Sequence, residues 1–528
     1  MKLHQRYVFL LTVFIVALVT VSVILTVTSQ QQLYDTVKGV QGVIKRQLEM
    51  RQRPVPNKFV RQLTAEEFRE NPLYKTGNPL IDQYTNNDLS APGEFGRALV
   101  MPADLQDNAT AALNTYHINV LASDMIHLNR MVPDSRFPGC RTKQYPHDLP
   151  PASIIIPFHD EWPSVLLRTV YSVVNRSPRH MLWEVVLVDD ASTMDKLKGE
   201  LDEYIASQFP VGLVRVLRLR ERVGLIRARM EGIRLEPLLH QVQSDRQSVA
   251  LGHLDYVQPD TFLYDWHKGY LTRYGFDWRL VFFETFFKPL TAGQDDTTPK
   301  PGALMVGAAF AVDREYFLEI GGYDEGMDVW GGENLELSWR IWMCGGSLIH
   351  VPCSKIGHIA RVQPYSFPGG RREIEVHNYK RAVSLWMEDN HRRFIYDHYP
   401  DMENADAGDL SERVALKQRL GCKSFSWYLD NVWPELTVFD KDSTAWGAVR
   451  NPDTNLCLDN HSFLFTYPEP LYADSCHGKL ATQGFALTTG GLLRSSLQCL
   501  VVKEETDGAR VQLEDCIIGP ADIWAHPQ

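Results

Sequence analysis

The apolar run Glu184–Val188 (EVVLV) ends in Asp189-Asp190-Ala191-Ser192, so two carboxylates fall where a strand would meet its loop. Ligands of open α/β sheets bind at those strand ends. Standing alone, the pair would serve equally well as a cap for the next helix. Downstream, Arg222-Val-Gly224-Leu-Ile-Arg227-Ala-Arg229 sets arginines about a glycine turn. Guanidinium groups grip phosphate oxygens in pairs, so this stretch suits a diphosphate. Farther on, Trp330-Gly-Gly-Glu333 opens a helical pattern and would expose an acid and an indole at a pocket rim, whereas Trp339 and Trp342 read as packing. Gly357-His358-Ile-Ala-Arg361 follows the apolar strand SLIHVP and precedes Tyr365-Ser-Phe-Pro-Gly-Gly370. A lone histidine is more often structural than a ligand, but its place before an arginine and a Gly/Pro-rich, lid-like loop favours a site.

The elements that must hold these residues begin near Pro151. Short apolar runs at Ser153–Phe158, Glu184–Val188 and Val211–Leu219 are separated by helix-length segments such as Ser164–Val174. That alternation predicts βαβ units and an α/β domain with a parallel sheet. At 528 residues the chain is too long for one ordinary domain, and 44% hydrophobic with 23% charged residues makes it globular. A net charge of −11 argues against a nucleic-acid binder.

Residues 7–27 run without a charge or proline, enough helix to cross a bilayer. The run exceeds a signal-peptide core and no A-x-A-like cleavage site follows, so it reads as an uncleaved anchor. Residues 1–6 would be a cytoplasmic tail and 28–94 a polar stem. All eight cysteines follow the anchor, no CxxC occurs, and an even count fits disulfides in an oxidising lumen. Asn108-Ala-Thr110 and Asn460-His-Ser462 are glycosylation sequons, and Asn175-Arg-Ser177, followed by Pro178, is a poorer one.

The words PFHDEWPSVLLRTVYSVVNRSP, EVVLVDDAS, GLIRAR, GFDWRLVF, MDVWGGENLELSWRIWMCGG, VPCSKIGHIAR, YSFPGG and WYLDNVWPEL stand in the order found in the polypeptide N-acetylgalactosaminyltransferases, which the chain resembles. The resemblance implies a GT-A-type transferase domain over 95–436, in a type II protein of the Golgi membrane whose catalytic domain is lumenal. The implied reaction moves GalNAc from UDP-GalNAc to Ser/Thr of polypeptides, with Mn²⁺ as cofactor. It assigns Asp189 and Arg222 to the nucleotide, Glu333 and Trp330 to sugar and phosphate, His358 to the metal, and Arg361 and Tyr365 to the diphosphate and closing loop. It also implies the disulfides Cys140–Cys353, Cys344–Cys422, Cys457–Cys476 and Cys499–Cys516. Residues 440–528 resemble a ricin-type β-trefoil lectin domain holding two of its three repeats, with Asp459 as its sugar-binding acid.

Two departures from the family pattern bear on function. Asp459 lacks its usual Asn partner, Thr482 standing in that place, and Val501 replaces the second repeat's Asp. More seriously, Gly232-Ile-Arg234 runs straight into Leu235-Glu-Pro-Leu-Leu239, where the family inserts a strand ending in Asp-x-His, two of the three protein ligands to manganese. His358 remains. His253-Leu-Asp255 has the reverse order and lies beyond the displaced helix, a poor substitute. One imidazole cannot hold a hard, oxygen-loving cation. The chain is therefore expected to be a weak catalyst, with a silent acceptor-binding scaffold or an exon-skipped isoform as the alternative.

Overall fold

The computed structural model describes residues 90–146, 148–222, 236–265, 271–287, 297–307, 309–359, 361, 366–460, 469–502 and 511–516. These all belong to one compact unit, Ala65–Gln528. The tail, the anchor run 7–27, nearly all of the stem, Arg227, Arg229 and Tyr365 lie outside the described residues. Among the described residues no helix is long and apolar enough to cross a membrane.

Strands β1 (Ala152–Phe158), β2 (Leu182–Asp189) and β3 (Val214–Arg218) form a parallel sheet in the order β1-β2-β3. Helix Pro163–Arg176 connects β1 to β2, its N-terminus set by a proline at the first position, where a missing N–H costs nothing. Val185 to Val188 are at most 1% exposed, as befits a central parallel strand covered on both faces. The third strand is shorter than the run Val211–Leu219 suggests. Val211 is fully exposed in a turn with Gly212 at φ 81°, and pairing starts at Val214.

A second sheet holds β4 (Ser248–Val257), β5 (Tyr264–Asp265), β8 (Lys300–Pro301), β9 (Phe310–Ala311) and β10 (Ser347–Ile359), and β6 (Thr272–Phe276) pairs separately with β7 (Phe282–Phe286). β10 runs parallel to β4, with a register break between Val351 and Lys355. Pro352 cannot donate to a ladder, which fits this bulge, and the break carries Cys353 to Cys140. The two sheets share no ladder among the described residues. Among the described residues β1 pairs only with β2, and beyond His350 β10 pairs only with β4, so no described strand lies on the other edge of either.

The main core surrounds helix Glu333–Met343 with Trp278, Phe276, Trp339, Trp386 and Trp433, and the first sheet has its own core around Val170, Val185 and Leu187. Trp339 is fully buried and Trp342 donates from Nε1 to Gly302 O at 3.0 Å, so both serve packing.

The C-terminal region is all-β. β11 (Ser443–Gly447), β15 (Phe485–Thr488), β16 (Leu493–Ser495), β17 (Gln498–Val502), β18 (Val511–Asp515) and β13 (Glu469–Pro470) make one antiparallel sheet in that order, and β12 (Leu456–Asp459) pairs with β14 (Tyr472–Ser475). Phe439 and Ala486 enter the main core, and Trp278 Nε1 donates to Thr437 O at 2.7 Å, so this region is packed onto the α/β part. The cysteines pair as Cys140–Cys353, Cys344–Cys422, Cys457–Cys476 and Cys499–Cys516.

Candidate functional site

A cavity of about 1260 Å³ opens between the two sheets. One wall comes from the end of β1 and helix Pro163–Arg176, the other from Cys353–Ile359 of β10, and Trp330, Glu333 and Arg361 close the rim. Arg130, Arg168 and Arg176 line the first wall, so the cavity is basic in a chain that is acidic overall.

Local sequence explains how Trp330 and Glu333 reach that rim. Gly331 and Gly332 sit at φ 103° and 84°, a left-handed turn only glycine adopts freely, and it swings the chain into helix Glu333–Met343. Val329, β-branched, is forced to φ 47°, a conformation costing about 1–3 kcal/mol. Buried Asn378 holds the loop there: its Oδ1 accepts from Asp328 N at 2.8 Å, and its Nδ2 donates to Asp328 O at 2.7 Å and Gly331 O at 3.0 Å. Glu333 Oε2 accepts from Gly331 N at 2.9 Å, at a helix N-terminus that favours a carboxylate. Arg371 stacks on the Trp330 ring at 5.3 Å.

His358 and Arg361 follow from β10. Burial and the nearby Arg361 charge hold the His358 imidazole below the ordinary histidine range. Arg361 Nη2 donates to Glu161 Oε2 at 2.5 Å, and its Nη1 to Tyr116 O at 3.4 Å. Burial raises the Glu161 carboxyl, with Arg361 opposing. Sequence reasoning passed over Glu161 and Arg371, although one stands inside PFHDEW and the other directly after YSFPGG.

Asp189 and Arg222 are placed differently. Asp189 is 1% exposed, and its carboxylate accepts from Arg218 Nη1 at 2.5 Å and Ser192 N at 2.7 Å; its neighbour Asp190 is the one on the cavity wall. Arg222 Nη1 donates to Ser366 Oγ at 2.6 Å, tying the chain after β3 to the segment before Gly370. In the all-β region Asp459 accepts from Thr482 Oγ1 and Gln483 Nε2, both at 3.0 Å, so its acid is spent within the repeat.

The donors here do not fit a Mn²⁺ ion. Among the described residues no group of three His, Cys, Asp or Glu could hold a metal. Asp255 is fully buried and taken up by Ser135, Tyr264 and Lys355. His253 shares that interior with His350, ring centroids 5.6 Å apart, and does not reach the rim.

These two buried imidazoles set an acid limit on the fold. Burial, His350 and Lys355 push His253 well below the histidine range; burial and Arg273 push His350 to about 3. Both are neutral when folded, while the unfolded chain takes up protons below about pH 6.5. Their contribution is therefore complete above pH 6.5 and drains away as pH falls, about 2 kcal/mol by pH 5 for His350. Urea midpoints at pH 7.5 and 5 are expected to show this loss, and His350→Phe to reduce it; an unchanged acid limb in the variant would rule the histidine out.

A parallel sheet whose β2 strand leads into Asp190 on a basic cleft, rimmed by an acid and an indole, has the layout of a nucleotide-sugar transferase of the GT-A type. The profile of Glycosyl transferase family 2 matches residues 153–235, that of the N-terminal domain of galactosyltransferase 290–363, and that of the ricin-type beta-trefoil lectin domain 445–527. Polypeptide N-acetylgalactosaminyltransferase 13 of Homo sapiens is 40% identical over 449 residues, covering 80% of this chain and 79% of its own length. N-acetylgalactosaminyltransferase 7 of Drosophila melanogaster is 36% identical over 499 residues, 88% and 83% of the two chains. The crystal structure of GalNAc-T7 with UDP, GalNAc and Mn²⁺ superposes with a TM-score of 0.61 at 31% identity, covering 81% of this chain and 83% of that one. The chain belongs to the polypeptide N-acetylgalactosaminyltransferase family.

Proposed function

We propose that the chain binds UDP-GalNAc in the cleft between its two sheets and transfers GalNAc slowly to Ser/Thr hydroxyls of polypeptides, as a type II protein of the Golgi membrane anchored by residues 7–27. The observation that carries the reading is the Trp330–Glu333 turn, bolted by Asn378 across from His358 and Arg361 on one cavity. Arg361, steadied by Glu161, is a cation on the rim of this cavity, where a leaving diphosphate needs opposing charge. Glu333 and Trp330 orient the sugar, and the Asp189–Arg218 pair fixes the strand end beside the nucleotide. Manganese, the family's cofactor, has no fitting donor set among the described residues, and no step is assigned to it. The boundaries 95–436 and 440–528 mark the transferase and lectin-like parts of this reading.

That no described strand joins the edges of β1 and β10 favours a second reading, a silent acceptor-binding scaffold with the shell of a transferase. Calorimetry with UDP tests the nucleotide site on which transfer depends. Binding is expected, unchanged by Mn²⁺ or EDTA, with UDP-GalNAc about tenfold weaker in Trp330→Ala and UDP alone little changed. No heat at millimolar UDP would overturn the transferase reading in favour of the scaffold.

A further inference from the structure

The sequence carries three Asn-x-Ser/Thr sequons, and the fold treats them unequally. Asn175 lies in helix Pro163–Arg176 with both side-chain amide atoms buried and unpartnered, and Ser177 beside it is 7% exposed. A glycan there would have to push through the wall of the cleft. Asn460 is half-buried, its Nδ2 donating to Ser495 Oγ at 2.9 Å and its backbone N–H to Thr482 O at 3.0 Å, directly after the buried Asp459. Its amide is a strut of the lectin-like repeat, not a free acceptor.

Asn108 differs on each count. It is exposed in the first turn of helix Gln106–Tyr116, and Thr110 is exposed as well. The helix is anchored from its other face by Ala109, 3% exposed in the cluster with Ile118 and Phe262. At about 1.5 Å per residue, Asn108 is about 12 Å along the axis from Tyr116, whose carbonyl meets Arg361. A bulky sugar chain at Asn108 therefore clears both the helix packing and the cleft.

We infer that Asn108 is a modification site, N-glycosylated, and that Asn175 and Asn460 are not. The amide nitrogen of Asn108 attacks C1 of the first sugar of a lipid-diphosphate-linked oligosaccharide. The C1–N bond forms, the C1–O bond to phosphate breaks, the amide gives up a proton, and the lipid diphosphate departs. The inference rests on the lumenal placement of the chain and goes beyond it in choosing one sequon of three.

The full chain is expressed in a secretory eukaryotic host and digested with protease in sealed and in opened vesicles. Peptides are then mapped after enzymatic deglycosylation in ¹⁸O water, which converts each occupied Asn to labelled Asp. A protected chain labelled at Asn108 alone is the expected result. One deglycosylation-sensitive gel step should vanish in Asn108→Gln and in Thr110→Ala, and persist in Asn460→Gln. A protected chain unlabelled at Asn108, or labelled at Asn175 or Asn460, overturns the inference and leaves the compartment standing. A chain digested in sealed vesicles and unlabelled throughout overturns both.

Discussion

Transfer of GalNAc to a Thr-rich peptide is expected to run at least ~10²–10³-fold more slowly in this chain than in a relative that keeps Asp-x-His, and EDTA is expected to leave that residual rate alone. Breaking the sugar–phosphate bond leaves charge on the diphosphate. Losing one well-placed stabiliser of such charge costs ~3–4 kcal/mol of barrier, which is that factor in rate. What the chain keeps at the rim, Trp330 and Glu333, grips the ground state as well as the transition state, so it gives occupancy without speed, and the residual rate falls to Arg361 opposite the leaving charge. Inserting the family's strand and Asp-x-His after Gly232 should restore the rate and its Mn²⁺ dependence together. Turnover of the unaltered chain at ~1–10³ s⁻¹, abolished by EDTA, would show that other residues hold the metal.

Glu336→Ala should be the most destabilising single change in the main core, by about 3–5 kcal/mol. Arg340 is 0% exposed and Glu336 1%; Arg340 Nε and Nη2 donate to the carboxylate at 3.0 and 2.8 Å, and Trp386 Nε1 donates to it at 3.0 Å. Removing the acid strands a guanidinium among tryptophans. For a compact unit as large as Ala65–Gln528 the melting temperature should fall by about 3–5 °C. Replacing both partners with apolar residues, Glu336→Leu with Arg340→Met, should recover part of the loss, because the Arg340 charge is then gone while buried Arg413 loses Glu336 and keeps Asp324 opposite it. A melting curve unmoved by Glu336→Ala would mean that water reaches Arg340.

That pair shows where sequence reasoning stops. At i and i+4 on a helix, Glu336 and Arg340 have the spacing of an ordinary solvent-facing pair, and only the crowd of tryptophans around them hints at burial. Periodicity did disclose β1, helix Pro163–Arg176 and β2, because a central parallel strand is apolar throughout and its connecting helix shows one apolar face. The Pro210–Gly212 turn, which delays β3, was readable from its residues and was overrun by the apolar run. The rim of the cleft was legible as words, WGGEN and GHIAR, but not as a site. Asn378 clamps a loop 47 residues away in the chain and Arg361 meets Glu161 across 200, contacts that no local pattern encodes.

The segment 128–149 has a consequence of its own. Leu128, Tyr145 and Leu149 pack on the first sheet's core, while Ser135 bonds to Asp255, Cys140 to Cys353 and Lys143 to Thr297 O on the other side of the cleft. It is a strap lying across a seam, fastened in the middle by a covalent bond that closes a loop of 213 residues. A continuous sheet shares a load over many small hydrogen bonds and yields gradually. Here the tie between the halves is one covalent rivet beside softer fastenings, the Arg361–Glu161 pair and the packing of Val165 with Val257, Phe262 and Tyr264, and a reducing environment would leave the halves held by these alone and easier to part.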